Sequence, residues 1–590
     1  MKKKLVALFM VSAMTAGLLS GCGSAQETAK DTEKAEASSE AVEETQTQTD
    51  AAEAEFDPRT ITEGVTLTIA VEAKSVVIDW DTNLVTQKLE DRFGVDLQFE
   101  VYPAGEFADK LNVMINGGDK LPDIIFGGDG NGLKNQETAW VDSGAILELT
   151  KYYEDAEYAD YPKYANIAME WEGVDFVSTL KDAEGKIWGV PTYTVTSNSS
   201  AGPRLWINEN YAKAVGFDEL PTTTEGFFEL CKAFAAAGDV NGNGLDDEVV
   251  FTSNGIAQNW FKFLMSPYAY AWDDYCLDVE DGTLSFAFAT EGWKEGLKYI
   301  KQFFDEGLID STIITQDYSA YTAIASNPEA VVLADFWFKP QMVNEDIYEQ
   351  NKTLLEYGYV AALEGPSGRV EGFWLDKTAV PGAMITVDCE NPDAAFLVLD
   401  YMLSQEMAAC NRYGEEGVDW DYWDNVDDSK FTDGTTKDMY RGESGGDPVF
   451  VSYTNSTYWY SGNPQNSGYM MAGPFVQFYN SEGRVMAGGK TEADQTAIEW
   501  TKRYLSDSIN AVRAVRPKET IATLPMTIDE KEAVSEPMTV IGSFYWQAAA
   551  NFLTGVWDID EDWDSYLEEL EKMGISDVLA VYQTAYDRTK

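Results

Sequence analysis

The chain has 590 residues, of which 101 are acidic, 42 basic and none histidine, giving a formal net charge of -59. That charge excludes nucleic acid as a partner, because phosphates would be repelled rather than exchanged for counterions, and it weighs against a polyanionic ligand. Without imidazole there is no Ser-His-Asp or Cys-His catalysis, and a transition-metal centre is disfavoured.

The first residues, MKKKLVALFMVSAMTAGLLSGC, read as an address. A basic start and a short apolar run make an export signal, and the run is too short to span a membrane. The ending Leu19-Ser20-Gly21-Cys22 resembles the bacterial lipobox, which implies removal of residues 1–21 and diacylation of the Cys22 sulfur, with palmitate among the acyl chains. Two acyl chains give stable anchoring, since each buried CH₂ contributes about 0.8 kcal/mol. No later run approaches the ~18 apolar residues of a spanning helix. The expected mature protein is therefore held at the outer face of the bacterial cytoplasmic membrane by its lipid and is otherwise soluble. Residues 22–60 are Ala, Glu, Thr, Gln, Ser and Asp with almost nothing to bury, the composition expected of a disordered, self-repelling acidic linker.

The remaining residues are enough for two or more domains. VTLTIAV (65–71) alternates as a half-buried strand. Leu84, Val85, Leu89 and Phe93 then share a helical face that Gly94 closes, and Val95, Leu97, Phe99 and Val101 alternate again. EFADKLNVMINGG is a second helix with a glycine stop, and LPDIIFGG is an apolar strand. Strand, helix, strand, helix, strand is the signature of an α/β layer with a mostly parallel sheet. Ligands of such sheets sit beyond the carboxyl ends of the strands, so the loops carrying Trp80 and Asp129 are candidate cleft loops.

A second α/β region begins near Arg204. LWINENYAKAVGF, TEGFFELCKAFAAAG and EGWKEGLKYIKQFFDEG read as helices, and EAVVLADFWF as a buried strand ending in aromatics. NPDAAFLVLDYMLSQEMAAC opens as a helix at Asn391-Pro392-Asp393, and the tail from Asp562 reads as two helices split at Gly574. Cys231, Cys276, Cys389 and Cys410 lie far apart with no CxxC, so neither a disulfide framework nor a zinc site shows. GRVMAGGKT contains Gly-Lys-Thr, but Gly483 lies one residue too far from Gly489 for a phosphate loop.

These stretches in this order, with DVNGNGLDDE, RYGEEGVDW and the terminal DWDSYLEELEKMG…YQTAYDR, resemble the extracellular solute-binding lipoproteins of carbohydrate ABC importers, the alginate and oligosaccharide receptors among them. The resemblance spans nearly all of the mature chain. It implies a periplasmic-binding-protein-like (type II) fold: two discontinuous α/β lobes joined by a hinge and closing on sugar. The expected pieces are 61–195 with a return of about 385–470 for one lobe, and 196–384 with about 471–590 for the other. It also implies a non-catalytic monomer that captures a neutral oligosaccharide and hands it to a membrane permease.

The loop at 239–248 places Asp239, Asn241 and Asn243 at alternate positions, then Gly244 for the turn and Leu245 to offer a carbonyl. Hard oxygen donors at that spacing suit Ca²⁺. An EF-hand carries a bidentate Glu at its twelfth position, which here is Val250. The resemblance to the calcium loop of alginate-type receptors carries the ligand set over to Asp239, Asn241, Asn243, Leu245, Asp247 and Glu248, holding a structural ion. Two other readings of these residues stand beside it. Asn-Gly twice in succession is a plain turn signal. A dockerin repeat starts the same way but needs two copies, each followed by a helix, and this single copy runs into EVVF.

Seventeen tryptophans exceed what a core needs. Aromatic faces stack on the apolar C–H faces of sugar rings while amides and carboxylates meet hydroxyl groups. On that ground Tyr458, Trp459 and Tyr460 among Ser, Asn and Gly, Trp337 at a strand end, and Trp272 in YAYAWDDY join Trp80 and Asp129 as candidate ligand contacts. Each has a plain alternative as a core or lid aromatic. Trp206 and Trp563 read as packing, and Trp420 and Trp423 fit either role. A surface-anchored glycoside hydrolase needs only a carboxylate pair, and no stretch of this acid-rich chain points to one. An adhesin or scaffold is a third class.

Overall fold

The computed structural model describes residues 56–590 except 75–76, 78, 128–132, 134–136, 167–174, 194–199, 246, 274, 326–330, 342–346, 377, 432–436, 438–449, 454–495, 497–498 and 501. The chain opens as strand β1 (Thr66–Glu72), helix α1 (Leu84–Phe93), β2 (Asp96–Tyr102), α2 (Phe107–Gly117) and β3 (Ile124–Phe126). Local chemistry fixes these ends. The Asn83 side chain accepts the Val85 N–H at 2.9 Å to start α1, and Gly94, at φ 66°, ends it. Helix α3 (Glu137–Asp142) and strand β4 (Val190–Tyr193) complete the first pass.

The chain then crosses to β5 (Arg204–Asn208) and α4 (Glu209–Ala214). This corrects the expectation of one helix from Leu205 onward. All five β5 residues are buried, and such a run suits a strand covered on both faces. Asn208 marks the switch, since its side chain accepts the N–H groups of Asn210 and Tyr211 and caps α4. There follow α5 (Thr224–Ala237), β6 (Glu248–Phe251), α6 (Asn259–Met265), the hairpin β7 (Leu277–Glu280) and β8 (Thr283–Phe286), α7 (Glu291–Asp305), α8 (Tyr318–Ala325), β9 (Val331–Trp337) and β10 (Tyr357–Val360). Strands β10-β5-β9-β6 form a second sheet, with β6 parallel to β9 and β5 antiparallel to both β9 and β10.

Strand β11 (Ala379–Ile385) returns to the first sheet, whose order is β2-β1-β3-β11-β4. The first three strands are parallel as expected, whereas β11 runs antiparallel to both β3 and β4. Helices α9 (Pro392–Tyr401) and α10 (Gln405–Tyr413) split what reads as one helix, because the Ser404 side chain accepts the Met407 N–H and starts a new cap. The short pair β12 (Trp420–Tyr422) and β13 (Phe450–Ser452) follows. The last segment holds α11 (Ser508–Ala514), α12 (Ile528–Leu553), α13 (Trp563–Lys572) and α14 (Ile575–Asp587). Gly574, at φ 87°, divides the final two.

Two large cores sit on the two sheets. One joins Leu67, Ile69 and Phe126 to Ile385, Phe396 and Leu399 of the return segment. The other joins Leu205, Phe251, Leu333 and Phe336 to Ile541, Tyr545 and Phe552 of α12. Each fully buried side chain of this kind contributes about 1.5–3 kcal/mol. Both halves are thus built from pieces distant in sequence, which is the two-lobed α/β architecture of a type II binding protein. Cys231, Cys276 and Cys410 are buried and Cys389 is half-buried. Among the described residues no helix is long and apolar enough to cross a membrane.

Candidate functional site

Strand β9 carries six buried residues and then presents Trp337, half-buried, at its carboxyl end. The indole lies 6.0 Å from the ring of Tyr318 and 6.4 Å from that of Tyr321, both on α8. Phe338 meets it edge-on at 5.9 Å. Beneath this group Asp335 accepts the Tyr321 hydroxyl at 2.7 Å and the Gln341 N–H at 2.9 Å. Burial raises the Asp335 carboxyl to about 6, so it is ionised at neutral pH and held by those donors. The Tyr318 hydroxyl donates to the Gln341 side-chain oxygen at 3.2 Å, and Trp206 Nε1 donates to the Trp337 carbonyl at 3.0 Å. Burial also lowers the pKa of the neighbouring Lys339 amine.

The result is a partly open aromatic face on a fixed frame, bordered by an amide. Such a surface can stack a ring and meet hydroxyl groups. Both oxygens of its buried acid are engaged in holding the frame, so nothing in it is arranged as a nucleophile beside a base. The signal for this frame was in the sequence: an aspartate inside VVLADFW is a buried charge that needs partners. The partners Tyr318, Tyr321 and Gln341 were not legible.

The other expected contacts are placed as follows. Trp80, after β1, is buried in the first core at 7% exposure and stacks on Phe99 of β2 with centroids 5.4 Å apart. Trp272 is a correction. It lies in the second core at 2% exposure, with Phe263 and Phe373 set edge-on at 6.1 and 5.2 Å, and offers no face to a ligand here. Its polar neighbours serve a turn instead, in which Asp273 accepts the Tyr275 and Leu277 N–H groups. Trp206 and Trp563 are buried. Trp420 is buried too, its Nε1 donating to the Gly414 carbonyl at 2.9 Å, and Trp423 packs beside Phe431, Val451 and Tyr453. Asp129, Tyr458, Trp459, Tyr460 and Cys22 lie outside the described residues.

The acidic loop joins α5 to β6 and folds its side chains back on itself. Asp239 accepts the Gly244 N–H at 2.8 Å, Asn241 the Asn243 N–H at 2.9 Å, and Asn243 Oδ1 the Leu245 N–H at 2.7 Å. The turn needs Gly242 and Gly244 at φ 76° and 82°. Asn243 Nδ2 stands 3.4 Å from both Asp247 carboxylate oxygens, a weak positive dipole where a cation would be drawn. Glu248 Oε1 accepts the Val240 N–H at 2.6 Å, while its Oε2 is buried with no hydrogen-bond partner among the described residues. Among those residues no three His, Cys, Asp or Glu side chains gather as a metal-holding group, so Asp239, Asp247 and Glu248 do not converge in this structure. The residue types are those that serve Ca²⁺, and Glu248 Oε2 is the buried carboxylate oxygen of the loop for which no partner is described.

The fructooligosaccharide ABC transporter substrate-binding protein FusA of Streptococcus pneumoniae is 25% identical over 527 residues, covering 86% of this chain and 88% of FusA. The lipoprotein LipO of Bacillus subtilis is 24% identical over 359 residues, covering 57% of this chain and 64% of LipO. The structure of FusA in complex with kestose superposes with a TM-score of 0.60 at 21% identity, over 89% of this chain and 99% of that one. Residues 77–409 match the family of bacterial extracellular solute-binding proteins, and the chain belongs to that family, a binding protein rather than an enzyme.

Proposed function

We propose that this protein is a lipid-anchored receptor that captures a neutral oligosaccharide between its two lobes and delivers it to the permease of an ABC importer. The observation that carries the reading is the half-buried Trp337 face, fixed by Asp335 and Gln341 at the carboxyl end of β9. Trp337 and Tyr318 stack on sugar rings from the second lobe. Trp80, Asp129 and the Tyr458-Trp459-Tyr460 stretch are the further candidate contacts. FusA, similar over most of both chains, is named for fructooligosaccharides, which supports this ligand class. A ligand shifts the lobes only by its differential affinity for the closed state, so the sugar must touch both.

Cys22 carries the anchor, in keeping with the lipoprotein LipO among the relatives. The lobes are residues 61–195 with a return segment and 196 to about 378 with the C-terminal segment; the sequence-based bound of 384 runs too far because β11, from Ala379, pairs with β3 and β4 of the first sheet. Asp239, Asn241, Asn243, Leu245, Asp247 and Glu248 hold a structural Ca²⁺ that staples α5 to β6. The working unit is a monomer. Calorimetric titration with kestose and a panel of neutral oligosaccharides, with chromatography of the sugar afterwards, tests the reading. Saturable binding with intact sugar supports it; no binding to any of them, or shortened sugar, overturns it.

A further inference from the structure

Helix α12 belongs to the second half of the molecule, packing Val534, Met538, Ile541 and Tyr545 into its core. Its first turn is held in two ways. In the capping box, Thr527 Oγ1 accepts the Glu530 N–H at 3.2 Å and Glu530 Oε2 accepts the Thr527 N–H at 2.8 Å. Arg588, just past α14, grips the same carboxylate with contacts of 2.7 and 2.5 Å. That charge-assisted pairing holds the Glu530 carboxyl down at about 2. The next residue, Lys531, therefore leaves from a fixed point.

Its amine donates to Thr138 Oγ1 at 2.9 Å, across 393 positions of sequence. Thr138 lies on α3, which is anchored in the first half by buried Trp140, whose Nε1 donates to Asn112 of α2 at 2.6 Å. Helix α3 follows directly on the loop beyond the carboxyl end of β3, the edge where ligands of an α/β sheet are held. One hydrogen bond thus joins elements of the two halves, and separation of the halves at that edge must break it.

We infer that Lys531 and Thr138 form a latch that sets the closed population of the receptor and so tunes its affinity without touching the solute. Lys531 is a positioning residue. An amine bonded to a hydroxyl rather than a carboxylate makes a contact of modest strength, which opens readily for release. A single hydrogen bond of this kind shifts the closed-to-open ratio by about three- to tenfold. The inference rests on the motion of the two halves and not on the identity of the sugar.

The test is a distance distribution in the ligand-free full chain. Dyes are placed on Val113→Cys and Val556→Cys, both strongly exposed and one in each half, with Cys22 and Cys389 changed to serine. Single-molecule energy transfer then reports near and far states. Lys531→Met and Thr138→Val should each lower the near-to-far ratio by about three- to tenfold, Thr138→Ser should keep it, and the double variant should go no further than either single one. Unchanged ratios, a serine variant that behaves like valine, or additive singles would overturn the latch. Because no sugar is present, failure here leaves the proposed ligand class untouched, and failure to bind sugar leaves the latch standing.

Discussion

Arg204 and Trp337 stand directly opposite each other across the antiparallel β5–β9 pair, the first wholly buried and the second half open. Arg204 Nε donates to Ser508 Oγ at 3.0 Å, Nη2 to the Tyr504 carbonyl at 3.1 Å, and Nη1 to the Gly202 carbonyl. The guanidinium therefore ties the first crossing between lobes to the C-terminal segment, at the ladder position paired with Trp337. Burial lowers its pKa only to about 10, so it stays charged at neutral pH.

Removing that tie takes a buried charged donor away from the Gly202 and Tyr504 carbonyls and from Ser508 Oγ, although Ser508 Oγ still donates to the Tyr504 carbonyl. Arg204→Met should destabilise the protein by about 2–4 kcal/mol in urea denaturation. Arg204→Lys should not restore it, because an ammonium cannot span three partners set for a planar fork. A lysine variant as stable as the parent would contradict this role.

Trp337 and Trp272, both in the second lobe, should separate binding from stability. Trp337→Ala should weaken oligosaccharide binding by about tenfold or more, roughly 1.4 kcal/mol, with little effect on unfolding. Trp272→Ala should do the reverse, costing about 3–5 kcal/mol of stability as a cavity opens against Phe263 and Phe373. Calorimetry beside denaturation checks both, and equal effects of the two changes on affinity would refute the assignment.

Ion binding to the acidic loop should appear as linked stability. An ion held only by the folded state adds to its free energy, so EDTA should lower the melting temperature by about 2–5 °C. Glu248→Gln should remove that response, since it alters the carboxylate whose Oε2 has no other described partner. A melting curve indifferent to both EDTA and added Ca²⁺ would count against the ion.

Asp400, on α9, is wholly buried and accepts the N–H groups of Tyr164 and Ala165 at 2.7 and 3.2 Å. Burial raises its carboxyl to about 7. Between the ordinary Asp value near 3.8 and that raised value, the folded state keeps a proton that the unfolded chain has lost. Stability from this group is thus greatest at low pH and declines as pH rises through the window. Relative to Asp400→Asn, the parent should lose on the order of 2 kcal/mol between pH 5 and 8 in urea titrations. Parallel pH profiles would show that Asp400 does not titrate there.

The readable parts of the fold were those whose ends are chemically marked. Asn83, Gly94 and Gly118 punctuate the β1-to-β3 region, and Gly574 splits the tail. The misread parts lack such marks or carry misleading ones. Leu205, Trp206 and Ile207 have no alternation because both faces of β5 are covered. Ser404 restarts a helix inside an apolar run. At the candidate site, Trp337 was legible because it ends an apolar strand. Its partners Tyr318 and Gln341, and the Lys531–Thr138 pair, meet only through tertiary folding, which single-sequence periodicity does not encode.

The central claim is that the lobes hold an oligosaccharide against Trp337 and release it unaltered. Calorimetric titration of kestose and related neutral oligosaccharides into the parent and Trp337→Ala proteins, with recovery of the sugar, tests it most directly. The account predicts saturable binding of at least one sugar, weakened about tenfold or more in the variant, with the sugar returned whole. Equal affinity in the two proteins, no saturable binding at all, or cleaved sugar would contradict it.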